Sequence, residues 1–345
     1  MIEIYSPTIR RKEMDAVLTV MVEEKIGPGE QAARLVQFAK EALNFEFSQA
    51  LRSPAFALSH ALKLLALEKG SGILVSALSP EYYHKVILDL DYKPIVCDTA
   101  GDSPCPTAET IKAAIGRSAA SNPARAMALY HSLGFLPDTE VFSGTELPII
   151  EDISAAFGSS LNEKKAGSFG LFTILGLEER DVLTAGGGAL LYAAEKRNAA
   201  VLRNSGAVSD VYSLADMNAA MAIVQIRESA RNMEKRREYA GLYTQNALQQ
   251  GRHKLFAHPE NFENNNYAFA LVLETGMKDV IAWARRKEIV VESAFEKTLV
   301  GAGLVEKELC PQAYSLSLRT ALFPVYPRLG GAGAAKVARL IQTLP

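Results

Sequence analysis

The sequence predicts an α/β protein whose mostly parallel, doubly wound sheet is covered by helices on both faces. Short apolar runs of strand length at residues 73–76, 94–97 and 126–130 each follow a stretch in which apolar residues recur at helical spacing. Strands that alternate with helices in this way are typical of parallel sheets buried on both sides. A chain of 345 residues, 48% of them hydrophobic, is long enough for such a core and for more than one domain.

The elements of the first part of the chain follow from the same periodicity. Apolar spacing predicts helices over residues 12–25, 30–43, 54–69, 82–90 and 107–115. Apolar runs predict strands over residues 73–76, 94–97, 126–130 and 147–150. The turn Gly27-Pro28-Gly29 separates the first two helices.

The character of the chain changes after a long helix predicted over residues 214–250. The pattern beyond it predicts a strand over 267–273, a helix over 277–287, a strand over 289–291 and a closing helix over 334–343. We therefore expect a large domain over residues 1–250, which includes the N-terminal helices, and a small α+β domain over residues 251–345.

Charge and cysteine content exclude several classes of protein. The net charge is -2 with acids and bases interspersed, so neither nucleic acid nor a membrane surface is an expected partner. No apolar segment approaches the roughly 18 to 20 residues that span a bilayer. The three cysteines, Cys97, Cys105 and Cys310, have no metal-ligand spacing, and their number fits reduced thiols in the cytoplasm. We expect a cytoplasmic protein without a bound metal.

The segment over residues 147–192 carries the most specific pattern. Its strand ends in Glu151 and Asp152, a GSFG turn follows at residues 167–170, and three glycines at 186–188 lead into the apolar run 189–192. This order resembles the DegT/StrS family of sugar aminotransferases, which are pyridoxal phosphate (PLP) enzymes of fold type I. The resemblance implies that fold, a homodimer, and a role for Asp152 as the partner of the cofactor's pyridine nitrogen.

The resemblance also implies a Schiff-base lysine between the GSFG turn and the glycines, and the chain has none there. Alignment from the glycines puts the lysine's position on Arg180, and alignment from the turn puts it on Asp181; no lysine lies between Lys165 and Lys196. Arginine stays protonated and is no amine nucleophile. A dehydratase branch carries histidine here, which this chain also lacks. We therefore expect a degenerate member with no catalytic residue and no bound cofactor.

Two further cofactor contacts of the family have counterparts in the chain. Its phosphate-binding serine-glycine-threonine aligns with Ser53-Pro54-Ala55, where Pro54 lacks an N–H and Ala55 lacks a hydroxyl. Ser53 is then either a remnant of the site or the cap of a helix that begins at Pro54. Asp152 is likewise either a cofactor ligand or a structural cap acting through Ser154.

Four residues are candidates for a different ligand pocket. Tyr82 and Tyr83 lie just beyond the position of the family's stacking aromatic, either at the pocket mouth or packed at a helix start. Tyr130 and His131 lie at the end of a predicted strand, where α/β sheets place ligand contacts, although a lone histidine there is also a common structural residue.

Three hypotheses about function remain open at this point. The first is a protein that has lost PLP-dependent transamination and binds a small molecule, such as a sugar nucleotide, without catalysis or with a new purpose. The second is a PLP-dependent aminotransferase that acts on a keto sugar nucleotide in surface polysaccharide biosynthesis. The third is different chemistry in the same cleft, carried by Asp152, His131 and the Tyr82-Tyr83 pair.

Overall fold

The computed structural model describes residues 1–118, 122–274 and 276–345. The helices are α1 (Arg11–Val22), α2 (Glu30–Leu43), α3 (Pro54–Leu64), α4 (Tyr82–Asp89), α5 (Ala108–Arg117), α6 (Thr139–Ser143), α7 (Lys196–Asn204), α8 (Asp216–Gln250), α9 (Met277–Arg286), α10 (Pro311–Arg319) and α11 (Gly330–Gln342). The strands are β1 (Phe47–Leu51), β2 (Gly72–Ser76), β3 (Lys93–Cys97), β4 (Ala124–Tyr130), β5 (Ile149–Asp152), β6 (Ser160–Leu161), β7 (Lys164–Lys165), β8 (Phe172–Gly176), β9 (Ala189–Ala193), β10 (Phe262–Glu263), β11 (Phe269–Val272), β12 (Glu292–Ser293) and β13 (Thr320–Phe323).

The central sheet confirms the predicted fold class. Within the described residues it has seven strands in the order β1-β9-β8-β5-β4-β2-β3. The run from β8 to β3 is parallel, and at one edge β9 pairs antiparallel with both β8 and β1. Every residue of β2, β5, β8 and β9 is buried, as expected for strands covered on both faces.

Helices cover the two faces of this sheet with separate apolar cores. On one face, residues of α2 and the first half of α8 pack against β8 and β9. On the other face, residues of α3, α4 and α7 pack against β2, β4 and β9. The sheet is therefore a rigid layer whose carboxyl edge can hold side chains in fixed positions.

A smaller sheet, β11-β13-β12, lies in the C-terminal part of the chain. It shares a core with α9, α11 and the second half of α8, including Tyr239 and Tyr243. Strand β10 pairs with β6, so the C-terminal part also contacts the first part through backbone bonds. The boundary near residue 251 stays a prediction. No helix in the described ranges is long and apolar enough to cross a bilayer.

The strand predicted over residues 289–291 is wrong in position. Strand β12 begins at Glu292, and Ile289 makes only an isolated parallel bridge with Ile2. Ile289 and Val291 are 1% and 4% exposed because they fill the C-terminal core. Their apolar character therefore reflects burial in that core and not a place in the β-ladder.

Candidate active-site cleft

The last two residues of β5, Glu151 and Asp152, hold the centre of the candidate site. Successive residues of a strand point to opposite faces of the sheet, so the two carboxylates enter different surroundings. Both side chains are completely buried. A buried carboxylate needs hydrogen-bond donors or it is costly, and the two residues obtain theirs in different ways.

Glu151 is bonded almost entirely to backbone. Its Oε2 accepts from the N–H groups of Phe169 and Gly170 at 2.7 and 2.8 Å. Its Oε1 accepts from the N–H of Gly167 at 3.0 Å and from Nε2 of His131 at 2.8 Å. The GSFG turn is thus fixed to the end of β5 by one side chain.

His131 is consequently placed inside the protein. Its ring is completely buried, and it donates to Glu151 on the face of the sheet opposite to the side chain of Asp152. Asp152 and His131 are therefore not brought together in one pocket, as different chemistry in the cleft would require. The role of His131 in ligand binding stays a prediction.

Asp152 is bonded to side chains and to one nearby N–H. Its Oδ1 accepts from the N–H and the hydroxyl of Ser154 at 2.9 and 2.5 Å, as the structural interpretation expects. Its Oδ2 accepts from the hydroxyl of Tyr83 at 2.8 Å, with that of Tyr82 at 3.5 Å. Burial raises the pKa of Asp152, and the bonds from Ser154 and Tyr83 oppose this rise.

The two tyrosines lie against Asp152 in the interior. Tyr83 is fully buried, as the alternative of packing at a helix start expects and not as a place at the pocket mouth would: packing of α4 on the sheet draws the ring into the core. Tyr82 is half-buried beside it, with ring centroids 5.1 Å apart. Burial, followed by the charge of Asp152, raises the pKa of both phenols well above the ordinary value. Their role in binding a ligand stays a prediction.

Arg180 and Asp181, the two alternative positions for the family's lysine, have side chains that point in opposite directions. The guanidinium of Arg180 points outward and pairs with Glu292 at 2.9 Å. The carboxylate of Asp181 points inward, where it accepts from the N–H of Glu178 at 2.8 Å and lies against Gly176. Ser154 also donates to Asp152 and lies against the same glycine, so it connects the surroundings of the two aspartates.

The surroundings of Asp181 favour its neutral form. Burial, supported by the charge of Asp152, raises the pKa of Asp181 to about 8, and the bond from the N–H of Glu178 opposes this rise. A group with this pKa exchanges a proton near neutral pH. Proton transfer at Asp181 is therefore within the chemical range of the site.

The start of α3 is an ordinary capped helix terminus. Ser53 is the N-cap, and its hydroxyl oxygen accepts from the N–H of Phe56 at 3.2 Å. Pro54 occupies the first helical turn and is buried. The helix-cap interpretation is confirmed, and the hydroxyl of Ser53 is already in use.

A cavity of about 280 Å³ lies beside Asp181 and extends toward the C-terminal sheet. The polar residues that line it include Tyr5, Tyr130, Arg180, Asp181, Arg236, Tyr267 and Lys297. Tyr130 is the member of the predicted pocket set that lies in this wall. The hydroxyl of Tyr267 donates to the carbonyl oxygen of Arg180, which fixes the ring across the cavity.

Sequence reasoning missed Arg236, Tyr267 and Lys297. Arg236 lies in the middle of α8, which the sequence presents as a long charged helix, and it is 4% exposed. Lys297 is an exposed residue of the loop after β12, far from the segment in which the family's lysine is sought. No local pattern identifies these residues, because the fold brings them together from distant segments.

The residues of the cleft do not supply the contacts to PLP that the resemblance implies. The position aligned from the GSFG turn carries the carboxylate of Asp181, and Pro54 offers no N–H for a phosphate. Both oxygens of Asp152 are already bonded within the protein. Among the residues described, no cluster of three His, Cys, Asp or Glu side chains could hold a metal ion.

Comparison with known families gives a match over nearly the whole chain. The family described as the DegT/DnrJ/EryC1/StrS aminotransferase family matches residues 7–342. A curated relative from Saccharopolyspora spinosa, named dTDP-4-dehydro-2,3,6-trideoxy-D-glucose 4-aminotransferase, is 24% identical over 99% of this chain and 96% of its own length. An L-glutamine:2-deoxy-scyllo-inosose aminotransferase from Streptomyces fradiae is 27% identical over 38% of this chain and 31% of its own.

Solved structures agree in fold. The aminotransferase TlmJ from Streptoalloteichus hindustanus superposes with a TM-score of 0.87 at 17% identity, over 99% of this chain and 98% of that one. A Streptococcus pneumoniae structure in its PLP form gives 0.85 at 16% identity, over 98% and 96% of the two chains. At these identities the likeness establishes the shared architecture.

Proposed function

Because the chain belongs to the DegT/DnrJ/EryC1/StrS aminotransferase family, we propose that it keeps the family's cleft as a small-molecule site but does not carry out PLP-dependent transamination. The observation that carries this proposal is the inward carboxylate of Asp181 at the position that the GSFG turn assigns to the lysine. A carboxylate cannot form the imine through which a lysine holds PLP.

The other cofactor contacts support the same proposal. A helix terminus binds a phosphate through free N–H groups, and at α3 one N–H is absent at Pro54 while the Phe56 N–H is bonded to Ser53. Asp152 could still pair with a pyridine nitrogen only by giving up Tyr83 or Ser154. Loss of the covalent, phosphate and ring contacts together should prevent retention of the cofactor.

The relatives suggest the class of ligand. The Saccharopolyspora spinosa relative is named for a dTDP-linked keto sugar. We extend that class to this chain and propose a sugar nucleotide or a similar small molecule as its ligand. We also propose a homodimer, as the resemblance implies, in the cytoplasm, as the cysteine content suggests. The phenols and charged groups of the cleft offer the mixture of apolar and polar contacts that such sites use.

A second candidate function is PLP-dependent amino transfer to a keto sugar nucleotide in surface polysaccharide biosynthesis. Family membership and the names of the curated relatives favour it more directly than they favour a loss of catalysis. A specific observation also supports it: Lys297 lines the cavity and supplies an amine that the segment 165–196 does not. In this function Lys297 would replace the family's lysine.

One spectroscopic experiment separates the two candidates. The purified protein is incubated with PLP and freed of unbound PLP by gel filtration, and its visible absorbance is recorded before and after borohydride. The first proposal expects no band to remain with the protein. A stable band that borohydride removes would contradict it, and loss of that band in K297A but not in K287A, a matched exposed lysine, would assign the link to Lys297.

A further inference from the structure

Arg236 is a buried cation for which the described residues of the cavity wall supply no carboxylate partner. It is 4% exposed, and its Nε is buried without a hydrogen bond to any residue of the described chain. No carboxylate within the described ranges lies within ion-pair distance of it. A guanidinium taken out of water without a counter-charge is costly, which makes its retention in a cavity wall informative.

The groups that face Arg236 are mostly neutral. Its guanidinium lies 5.8 Å from the ring centre of Tyr267, and the hydroxyl of Tyr5 is near enough to interact with its charge. Burial lowers the pKa of Arg236, and the two phenols only partly oppose this. Cation–π contact supplies about 0.5 to 2 kcal/mol, too little to replace hydration of a buried charge.

The acids in the same cavity do not neutralise it. Glu292 pairs with Arg180, and Glu296 is an exposed residue at the rim. Asp181 has its pKa raised to about 8, so it is mostly uncharged near neutral pH and repels an incoming anion little. Arg236 is therefore an uncompensated positive charge at the inner wall of the cavity, which the exposed Lys297 also lines.

We propose that the ligand of this cleft carries a carboxylate or phosphate group and that Arg236 binds that group. This inference rests on the proposed function, since it names the chemistry of the ligand for the same site. A guanidinium can donate two parallel hydrogen bonds to either anion, and Tyr5 and Tyr267 beside it offer their rings to the uncharged remainder of the ligand. A sugar nucleotide supplies the anion as pyrophosphate, and a sugar acid supplies it as carboxylate.

An internal partner for Arg236 is the structural alternative. Asn232 lies one helical turn earlier on α8, and its Oδ1 is also buried without a partner in the described part of the chain. Residues four apart share a helix face, so a small rearrangement could join the two side chains. Removal of an internally paired Arg236 would destabilise the protein without ligand, whereas removal of an unpaired buried charge would not.

Isothermal titration calorimetry of the full chain, without added PLP, tests the inference. The probes are dTDP-glucose for pyrophosphate, sodium glucuronate for carboxylate, and glucose as the neutral comparison. We expect one of the two anionic probes to bind and glucose not to bind. R236Q should weaken that binding by about ten- to a hundredfold, the value of a hydrogen bond to a charged group. R237Q, which alters the exposed neighbouring arginine, should leave it unchanged.

A second variant covers the case in which R236Q does not fold. R236M should melt at or above the wild-type temperature without ligand and should fail to bind the anionic probe. A melting temperature clearly below that of the wild type would assign Arg236 to an internal partner and overturn the proposal. Failure of both anionic probes to bind the wild type, or equal binding by R236Q, would also overturn it.

The outcome is independent of the test for PLP. A borohydride-sensitive PLP band together with anion binding that depends on Arg236 would contradict the proposed function and leave this inference standing. Absence of both the band and the anion binding would overturn this inference and leave the loss of PLP-dependent transamination standing.

Discussion

Glu151 and Asp152 are neighbours in β5, equally buried, and yet they belong to different kinds of surroundings. Glu151 accepts hydrogen bonds from three backbone N–H groups and from a histidine, all within the fold. Asp152 accepts from two phenols and from Ser154, beside a second acid, Asp181. One carboxylate is satisfied by backbone, and the other lies in a coupled set of titratable side chains.

At the edge of one sheet, the two carboxylates therefore have different roles: Glu151 stabilises the fold, and Asp152 lies where a ligand could change its surroundings. A charge held by backbone N–H groups stabilises a turn and leaves nothing that can exchange with a ligand. A charge held by other side chains can change its partners or its protonation when a ligand arrives. The face of Asp152, with the cavity beyond it, is therefore where we propose that the ligand binds.

The largest effect is expected from the Glu151 side. E151Q removes the charge and turns an amide group toward backbone donors, so the free energy of unfolding should fall by about 3 kcal/mol. E146Q, at an exposed acid nearby, should change it by less than about 0.5 kcal/mol. Urea unfolding measures both variants, and equal stabilities would mean that Glu151 does not anchor the turn.

A smaller loss is expected where the Asp181 carboxylate packs on the sheet. A Cβ at Gly176 would overlap Asp181 and would lie 2.5 Å from the hydroxyl of Ser154. G176A should therefore lower the free energy of unfolding by about 1 to 3 kcal/mol. G116A is the control, because the same methyl group on α5 meets nothing within 4 Å. It should be neutral or stabilising by up to about 1 kcal/mol. If G176A were as stable as G116A, the carboxylate of Asp181 would not pack against Gly176.

The raised pKa of Asp181 predicts a pH dependence of stability. With a pKa of about 8 in the folded protein and 3.8 as the ordinary value, the native state holds a proton that the unfolded chain has released between these limits. The stabilisation is present below pH 4 and is lost as the pH rises toward 8. D181N stays neutral, so its stability relative to the wild type should increase across this window by on the order of a few kcal/mol. Chemical denaturation measures the free energy of unfolding of both proteins across this pH range. If the two free energies changed with pH in parallel, the raised pKa of Asp181 would be contradicted.

The smallest effect is expected at Arg180, whose side chain points outward. Its guanidinium is 55% exposed and its pairing with Glu292 is screened by water. R180A should reduce the free energy of unfolding by no more than about 1 kcal/mol. Thermal unfolding of R180A beside D181N measures the contrast between the two neighbours. A loss well above that limit would show that Arg180, and not Asp181, is the structural residue of the pair.

Much of the fold could be predicted because most of its elements carry strong apolar periodicity. The bounds of α2 were predicted exactly as they occur, and those of α8 to within two residues. Strand β1 carries no such signal, since Ser48 and Gln49 are polar although they are 2% and 8% exposed. The side-chain Nε2 of Gln49 donates to Ser205 and to backbone carbonyls near it, contacts that only the folded chain provides.

The candidate site could be predicted only where it depends on neighbours in sequence. The cap at Ser53 and the bond between Asp152 and Ser154 are local, and the sequence indicated both. Our proposal of Asp181 over Arg180 as the lysine's position rests on the direction of each side chain, which an alignment does not contain. Arg236 and Lys297 come from segments that meet only through the packing of α8 against the C-terminal sheet.

Intact-protein mass spectrometry after incubation with PLP and borohydride tests the central claim most directly, because reduction fixes any imine permanently to its lysine. The absence of an amine at position 181 predicts a mass equal to that of the untreated chain at one equivalent of PLP. Stoichiometric addition of one phosphopyridoxyl group, mapped by peptide analysis to Lys297 or to any other single lysine, would contradict the account.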